Sequence, residues 1–290
     1  MKFISDPALR GQALALIEGG YDLHTHTEPS AFHRALNDLE LIQEAEALKM
    51  AGVMIKAHYG CTAERAALIN LISGCHARAY GGLVLNHPTG GLNPYAAENS
   101  LKMGASIIWM PTRDSASCLR GGNMPGDFFL RPGISILDDS GRLKKEVFEI
   151  FEIVKKYGAF LATGHLSTEE SLLLCEAGTC ENVSMILTHP EWDRTKVPGE
   201  IQAQLARKGV LIEKNWLNLA ENSVSPEQMA ANIRQAGVES TYLATDRGQA
   251  GAEHPGEAML CFIETLLSQG FSDREIRTML RTVPKRIVEH

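Results

Sequence analysis

The sequence has no basic run, no uninterrupted apolar stretch of bilayer-spanning length, and no CxxC pair among its six cysteines. Each absence narrows what the chain does. Nucleic-acid phosphates are gripped by clustered Lys and Arg, whereas here 28 Lys and Arg are scattered among 35 Asp and Glu, for a net charge of −7. Nucleic acid is therefore not the expected partner. A membrane partner is not expected either, because no apolar run approaches the roughly 18 residues that cross a bilayer. The N-terminal stretch carries Asp6, Pro7 and Arg10 where an export signal needs apolar residues, so the expected location is cytoplasmic. Cys61, Cys75, Cys118, Cys175, Cys180 and Cys261 are then expected as reduced thiols. Cys175 and Cys180 lack the two further ligands of a zinc knuckle.

What is present is alternation. The chain of 290 residues, 44% apolar and 22% charged, has enough apolar material for a full core. After a helix over 7–18, strands are expected at 21–26, 52–58, 79–86, 106–112, 159–165, 184–189, 210–215 and 241–246. Amphipathic helices fall between them at 38–50, 62–73, 94–103, 143–157, 168–177, 199–208 and 226–236. Thr62 and Thr168 serve as expected N-caps, and Gly52, Gly158, Gly209 and Gly237 follow helix ends. Strand ends at 26, 56, 86 and 112 lie 30, 30 and 26 residues apart, and those at 165, 189, 214 and 246 lie 24, 25 and 32 apart. Eight such units make an α/β protein of the (β/α)8 TIM-barrel class, in one domain over 1–290. An open doubly wound sheet is the alternative, although no Gly-rich phosphate fingerprint follows its first strand. The step from 112 to 165 is 53 residues, so 113–142 is read as an insertion after strand four, containing a hairpin around Asp139-Ser140-Gly141. It is expected on the face where barrel enzymes react, as a lid, a decoration or a contact between copies.

Six of the ten histidines (His24, His26, His58, His87, His165 and His189) stand at or just past the C-terminal ends of these strands. His24 and His26 form an HxH pair, and residues i and i+2 of a strand face the same side, so two imidazoles can grip one ion. Asp246 closes the eighth strand, which a closed barrel sets beside the first; a carboxylate there can bind a metal and accept a proton from water. His33, His76 and His290 fall outside strand ends and are assigned no role.

Taken in order, His24-Thr-His26, His165 in Ala-Thr-Gly-His-Leu-Ser, His189 in Ile-Leu-Thr-His-Pro, and Asp246 in Leu-Ala-Thr-Asp resemble the metal-dependent amidohydrolase superfamily along the whole chain. Lys56-Ala-His58, Leu-Asn-His-Pro-Thr-Gly-Gly-Leu-Asn-Pro and Trp-Met-Pro-Thr read as signatures of an uncharacterised branch. The resemblance implies one or two ions, Zn²⁺ or Mn²⁺, held by His24, His26, His165, His189 and Asp246. Two-metal members usually bridge the ions with a carbamylated Lys or a Glu at the end of strand four, and here that strand ends Trp-Met-Pro-Thr. A single-metal site, a bridge from Lys56, and two ions bridged only by hydroxide and Asp246 are the three solutions.

The expected reaction is hydrolysis of a small amide, lactone or cyclic imide, with Asp246 as proton carrier and His189 helping to polarise the carbonyl. Lys56, His58, His87, Arg113 and Arg247, with Trp109 and Asn86 nearby, would bind an anionic small-molecule substrate. Alternatives are a phosphoesterase of the polymerase-and-histidinol-phosphatase type, for which Glu213 is one further carboxylate, a metal-dependent decarboxylase, and a barrel that binds without turnover. Association of identical chains is compatible with all of them.

Overall fold

The computed structural model describes residues 7–122, 124 and 129–289. Eight parallel strands follow one another around a single sheet: β1 (Tyr21–Thr25), β2 (Gly52–Ile55), β3 (Arg78–Val84), β4 (Ala105–Trp109), β5 (Phe160–Ala162), β6 (Ser184–Leu187), β7 (Leu211–Asn215) and β8 (Thr241–Ala244). The sheet closes on itself at its C-terminal edge, where the Asp246 amide donates to the His24 carbonyl at 2.8 Å and the His26 amide to the Arg247 carbonyl at 2.7 Å. Below these bonds the buried Asp22 carboxylate accepts from the Thr245 amide (3.0 Å) and hydroxyl (2.5 Å), pinning β1 to β8. The (β/α)8 barrel is thus the fold, and the open sheet is excluded.

The strands are short and apolar on both sides because both faces are buried, which is the requirement of an all-parallel sheet. Leu23, Met54, Val84, Ile107, Trp109, Ile186, Leu211 and Tyr242 fill the barrel, while Val53, Ile55, Leu83, Ile108, Leu161 and Leu187 pack outward under helices. Val283 and Ile287 of the helix Val283–Val288 join the interior cluster. That helix stops the barrel at the end where the strands begin, its neighbour Glu289 bonding the Tyr21 hydroxyl.

Elements sit where the spacing puts them, with three local differences. The expected strands overrun the observed ones by up to three residues, because the last residues bend away from the ladder to form the site. Ser167, not Thr168, caps its helix, with Glu170 completing a capping box. The Thr62 hydroxyl bonds the Ile55 carbonyl at 2.7 Å instead of a helix amide, so it ties β2 to the next unit. In the insertion, Leu137 and Leu143 pair antiparallel across a turn with Gly141 at φ 78°, as the Asp-Ser-Gly signal implies. Residues 123 and 125–128 of the insertion, and His290, lie outside the described residues. Among the described residues no disulfide joins any of the six cysteines, and no helix is long and apolar enough to cross a membrane.

Candidate metal centre

The register of β1 decides where its histidines point. Asp22 pairs with Val53 and Thr25 with Ile55, and a shift of register lies between them. Val53 and Ile55 both face outward, so one extra residue is accommodated on β1 and both Leu23 and His24 turn inward. Without that bulge the inward set Tyr21 and Leu23 would send both histidines of the HxH pair into the helix layer. With it, His24 and His26 share the barrel mouth.

Their rings are held by different partners. His24 Nδ1 lies 3.0 Å from Glu213 Oε1, and Glu213 Oε2 accepts from the Tyr242 hydroxyl at 2.6 Å. His26 Nδ1 donates to the Lys56 carbonyl at 2.9 Å. Both Nδ1 atoms are thereby spoken for, and both Nε2 atoms converge on Asp246 Oδ1, each at 3.1 Å. One ligand atom from each of the three residues lies within 4.8 Å of the others, and all three residues are buried. Two imidazoles oriented through their far nitrogens by a carboxylate and a carbonyl, plus a carboxylate, form a donor set that fits a divalent cation such as Zn²⁺.

Electrostatics at this cluster follow from burial and mutual contact. Burial alone would raise Asp246, but His24 and His26 hold it well below the usual carboxylate range. Burial works against a charged His24 ring, yet Asp246 and Glu213 bring it up to about 9. His26 is pushed down to about 3, by burial first and then by Arg34. Lys56 at the end of β2 is buried with Nζ 2.8 Å from His24 Nε2 and 5.2 Å from the Trp109 ring centroid. Burial lowers it to about 8, with Asp246 and Glu213 opposing.

His165 and His189 complete a ring of imidazoles but stand outside the tight triad. Centroid separations are 5.9 Å for His24–His189, 4.9 Å for His189–His165, 5.8 Å for His165–His58 and 4.8 Å for His58–His26. The Thr195 hydroxyl donates to the His189 carbonyl and lies 3.1 Å from Nδ1, which leaves Nε2 available. His189 (φ 26°) and Asp246 (φ 53°) adopt the left-handed conformation that costs a non-glycine residue energy, a kind of strain found at functional sites. His165 follows Gly164, whose φ of 62° and close approach to the Met110 carbonyl leave no room for a Cβ. Sharp turns at these three strand ends aim the side chains inward.

The cluster opens into a cavity of about 590 Å³ whose lining includes His26, His58, His165, His189 and Asp246. Trp192 forms one wall, edge-on to His165 and His189 at 4.9 and 5.4 Å. Arg113 and Met124 of the insertion, Phe32 and Arg34 of the loop after β1, and Leu217, Glu221 and Gln249 also line the cavity.

Two residues expected at the substrate lie elsewhere. His87 is exposed, its Nε2 2.8 Å from the Pro132 carbonyl, because a 3-10 turn over His87–Thr89 carries it away from the mouth. Arg247 spends its guanidinium on Glu253, at 3.0 and 2.7 Å, and braces the loop after β8. Asn86 is buried as a tie: it donates to the His58 carbonyl and the Thr112 hydroxyl. Glu213 turns out to orient His24. Its inward position follows from strand alternation, Leu211 and Glu213 facing in while Ile212 and Lys214 face out. Arg34, Phe32 and Trp192 lie in loops, where periodicity carries no signal.

Residues 19–213 match the model of a family described as a family of unknown function, DUF6282. No curated protein matches the chain by sequence. Solved structures with the same fold include an amidohydrolase from Pseudomonas aeruginosa (TM-score 0.64, 13% identity, 97% of this chain and 99% of that one). A TatD homologue from Escherichia coli has TM-score 0.56 and 14% identity over 94% of this chain and 99% of that one. The 2,6-dihydroxybenzoate decarboxylase from Rhizobium has TM-score 0.56 and 10% identity, again over 94% and 99%. The barrel fold expected from the sequence is the fold these proteins share with the chain.

Proposed function

The chain belongs to the DUF6282 family, and from its site we propose that it is a metal-dependent hydrolase acting on a small carbonyl compound, an amide, lactone or cyclic imide. The convergence of His24 Nε2, His26 Nε2 and Asp246 Oδ1, with the far nitrogens already engaged, carries this reading. A divalent cation held there would supply Lewis acidity and bring the pKa of a bound water from 15.7 to about 7. His24, His26 and Asp246 would hold it, and His189 and His165 face the same mouth as further ligands or as donors to the substrate.

Asp246 performs the proton work. Its carboxylate is ionised throughout the neutral range, and its Oδ1 lies against Nε2 of both His24 and His26. It accepts a proton from the attacking water and delivers it to the leaving group. Nε2 of His189 is placed to donate to, or polarise, the carbonyl oxygen as charge develops there. Trp192 and Phe32 line the cavity with apolar surface, which lowers the local dielectric and would strengthen each of these interactions. An ammonium on Lys56 adds positive charge beside His24 and steadies negative charge building on the substrate.

The test is a metal titration followed by a screen of lactones, amides, cyclic imides and carboxylated aromatics, with products identified by mass spectrometry. Hydrolysis by the loaded protein, reduced by at least about a thousandfold in Asp246→Asn with the fold retained, is the expected result. Release of CO₂ without water addition would replace hydrolysis by decarboxylation. Full activity in Asp246→Asn would remove Asp246 from the mechanism.

A further inference from the structure

Arginines around the barrel mouth mostly have an evident partner. Arg65 is bidentate to Asp38, Arg131 pairs with Asp114, and Arg247 pairs with Glu253. Arg34 differs. It is only 7% exposed and lines the cavity, yet among the described residues its guanidinium makes no hydrogen bond and no ion pair, and its Nε is buried without a partner. It lies over the face of Phe32, with Cζ 5.2 Å from the ring centroid. Arg113 lies over the same ring at 4.2 Å. Two cations thus flank one phenyl ring at the rim, and their repulsion shows in Arg34, which burial first and then Arg113 lower to about 10.

The backbone around Arg34 is fixed, so this position is built. The Arg34 amide donates to Glu28 Oε1 at 3.0 Å, Arg34 forms an antiparallel bridge with Gln249, and the Ala35 amide donates to the Gly248 carbonyl at 2.9 Å. Those contacts bind the loop after β1 to the loop that begins at Asp246. Removing a charge from water without a partner costs several kcal/mol, and Asp246, the carboxylate whose field Arg34 feels, is committed to His24 and His26. A guanidinium retained under such conditions is complementary to an anion that comes with the ligand.

We propose that Arg34 is the anchor for a carboxylate on the substrate, with Phe32 and Trp192 bounding the ring or planar group that bears it. The guanidinium fork matches a planar carboxylate, and a guanidinium over the Phe32 ring, in a cavity that Trp192 also lines, suits a cyclic or aromatic acid. The inference rests on the cavity being the substrate site, as read above, and adds the charge and shape of what enters it. Anchoring the carboxylate at Arg34 leaves the reactive carbonyl to face Asp246 and His189, so one contact supplies both affinity and orientation.

Benzoate and its neutral isostere benzamide test this by calorimetry on the full chain, both stripped of metal with a chelator and loaded with Zn²⁺. The expected result is measurable binding of benzoate in both forms, at least tenfold tighter than benzamide, and loss of that preference in Arg34→Met with partial recovery in Arg34→Lys. Arg34→Met should fold as the parent does and bind Zn²⁺ at least as tightly, because among the described residues the guanidinium makes no hydrogen bond or ion pair and its charge opposes a cation beside His26. Equal binding of the two probes, or an undiminished preference for benzoate in Arg34→Met, overturns the proposal. Binding is read without turnover, so failure here is distinct from failure of the hydrolase reading, which Asp246→Asn addresses.

Discussion

Glu213→Gln tests how the protein would tune the proposed metal site without touching a proposed ligand. The Glu213 carboxylate is fully buried and uses both oxygens, Oε1 on His24 Nδ1 and Oε2 on the Tyr242 hydroxyl. Burial alone would raise it, but His24 holds it down to about 2, so it is charged at any working pH. A charged acceptor behind a ligating imidazole fixes its tautomer and raises its basicity, and removing such a partner costs about 10- to 100-fold in metal affinity. That corresponds to roughly 1.4–2.8 kcal/mol. Glutamine keeps the shape and one acceptor oxygen but loses the charge, so the predicted loss falls in that range with the melting temperature nearly unchanged. Competition between the protein and a chromophoric chelator for Zn²⁺ reads the affinity directly. Tyr242→Phe is the control: it leaves Oε2 unsatisfied, costs about 1–3 kcal/mol of stability, and moves metal affinity less. A folded Glu213→Gln protein with parental Zn²⁺ affinity would refute the orienting role.

Gly248→Ala should weaken both fold and metal binding, since its Cβ would fall 1.7 Å from the His26 carbonyl oxygen at a φ of 126°; parental metal affinity in a folded G248A protein would contradict this. Metal uptake should release protons: His24, at about 9 in the metal-free protein through Asp246 and Glu213 against burial, must lose its proton to coordinate. Apparent affinity therefore falls as pH drops below about 9, by up to tenfold per unit for one proton, and calorimetry in buffers of different ionisation enthalpy should count about one proton at pH 7.5. No proton release would show His24 to be neutral already. Outside the barrel, the Lys214 ammonium is buried against Glu191 and Gln202. Lys214→Met should cost about 3–5 kcal/mol by stranding the Glu191 charge, and a denaturant midpoint within experimental error of the parent would sink that account.

The barrel was legible because a parallel sheet with both faces buried writes itself as short apolar runs separated by amphipathic segments. The ladder nature of those runs fixed their number and order, and their ends also marked His24, His26, His165, His189 and Asp246, because a closed barrel gathers its strand ends. Two kinds of information were not there to read. The bulge between Asp22 and Thr25 comes from register against β2, a long-range property, and it alone reconciles an inward Leu23 with an inward His24. Loop residues follow no period: His87 reads as a strand-end contact to substrate, yet the turn after β3 carries it outward, while Arg34 and Trp192 reach the cavity from connections whose paths local sequence does not encode. Arg247 was placed correctly along the chain, but its partner Glu253 lies six residues on, in a loop whose fold decides the pairing.

Anomalous scattering at the zinc edge, from crystals of the protein grown with one equivalent of Zn²⁺, tests the central claim most directly. The account predicts a peak bonded to Nε2 of His24, Nε2 of His26 and a carboxylate oxygen of Asp246, at about 2.0–2.2 Å from each. A cation bound elsewhere, with those three side chains bonded only to one another, would contradict it.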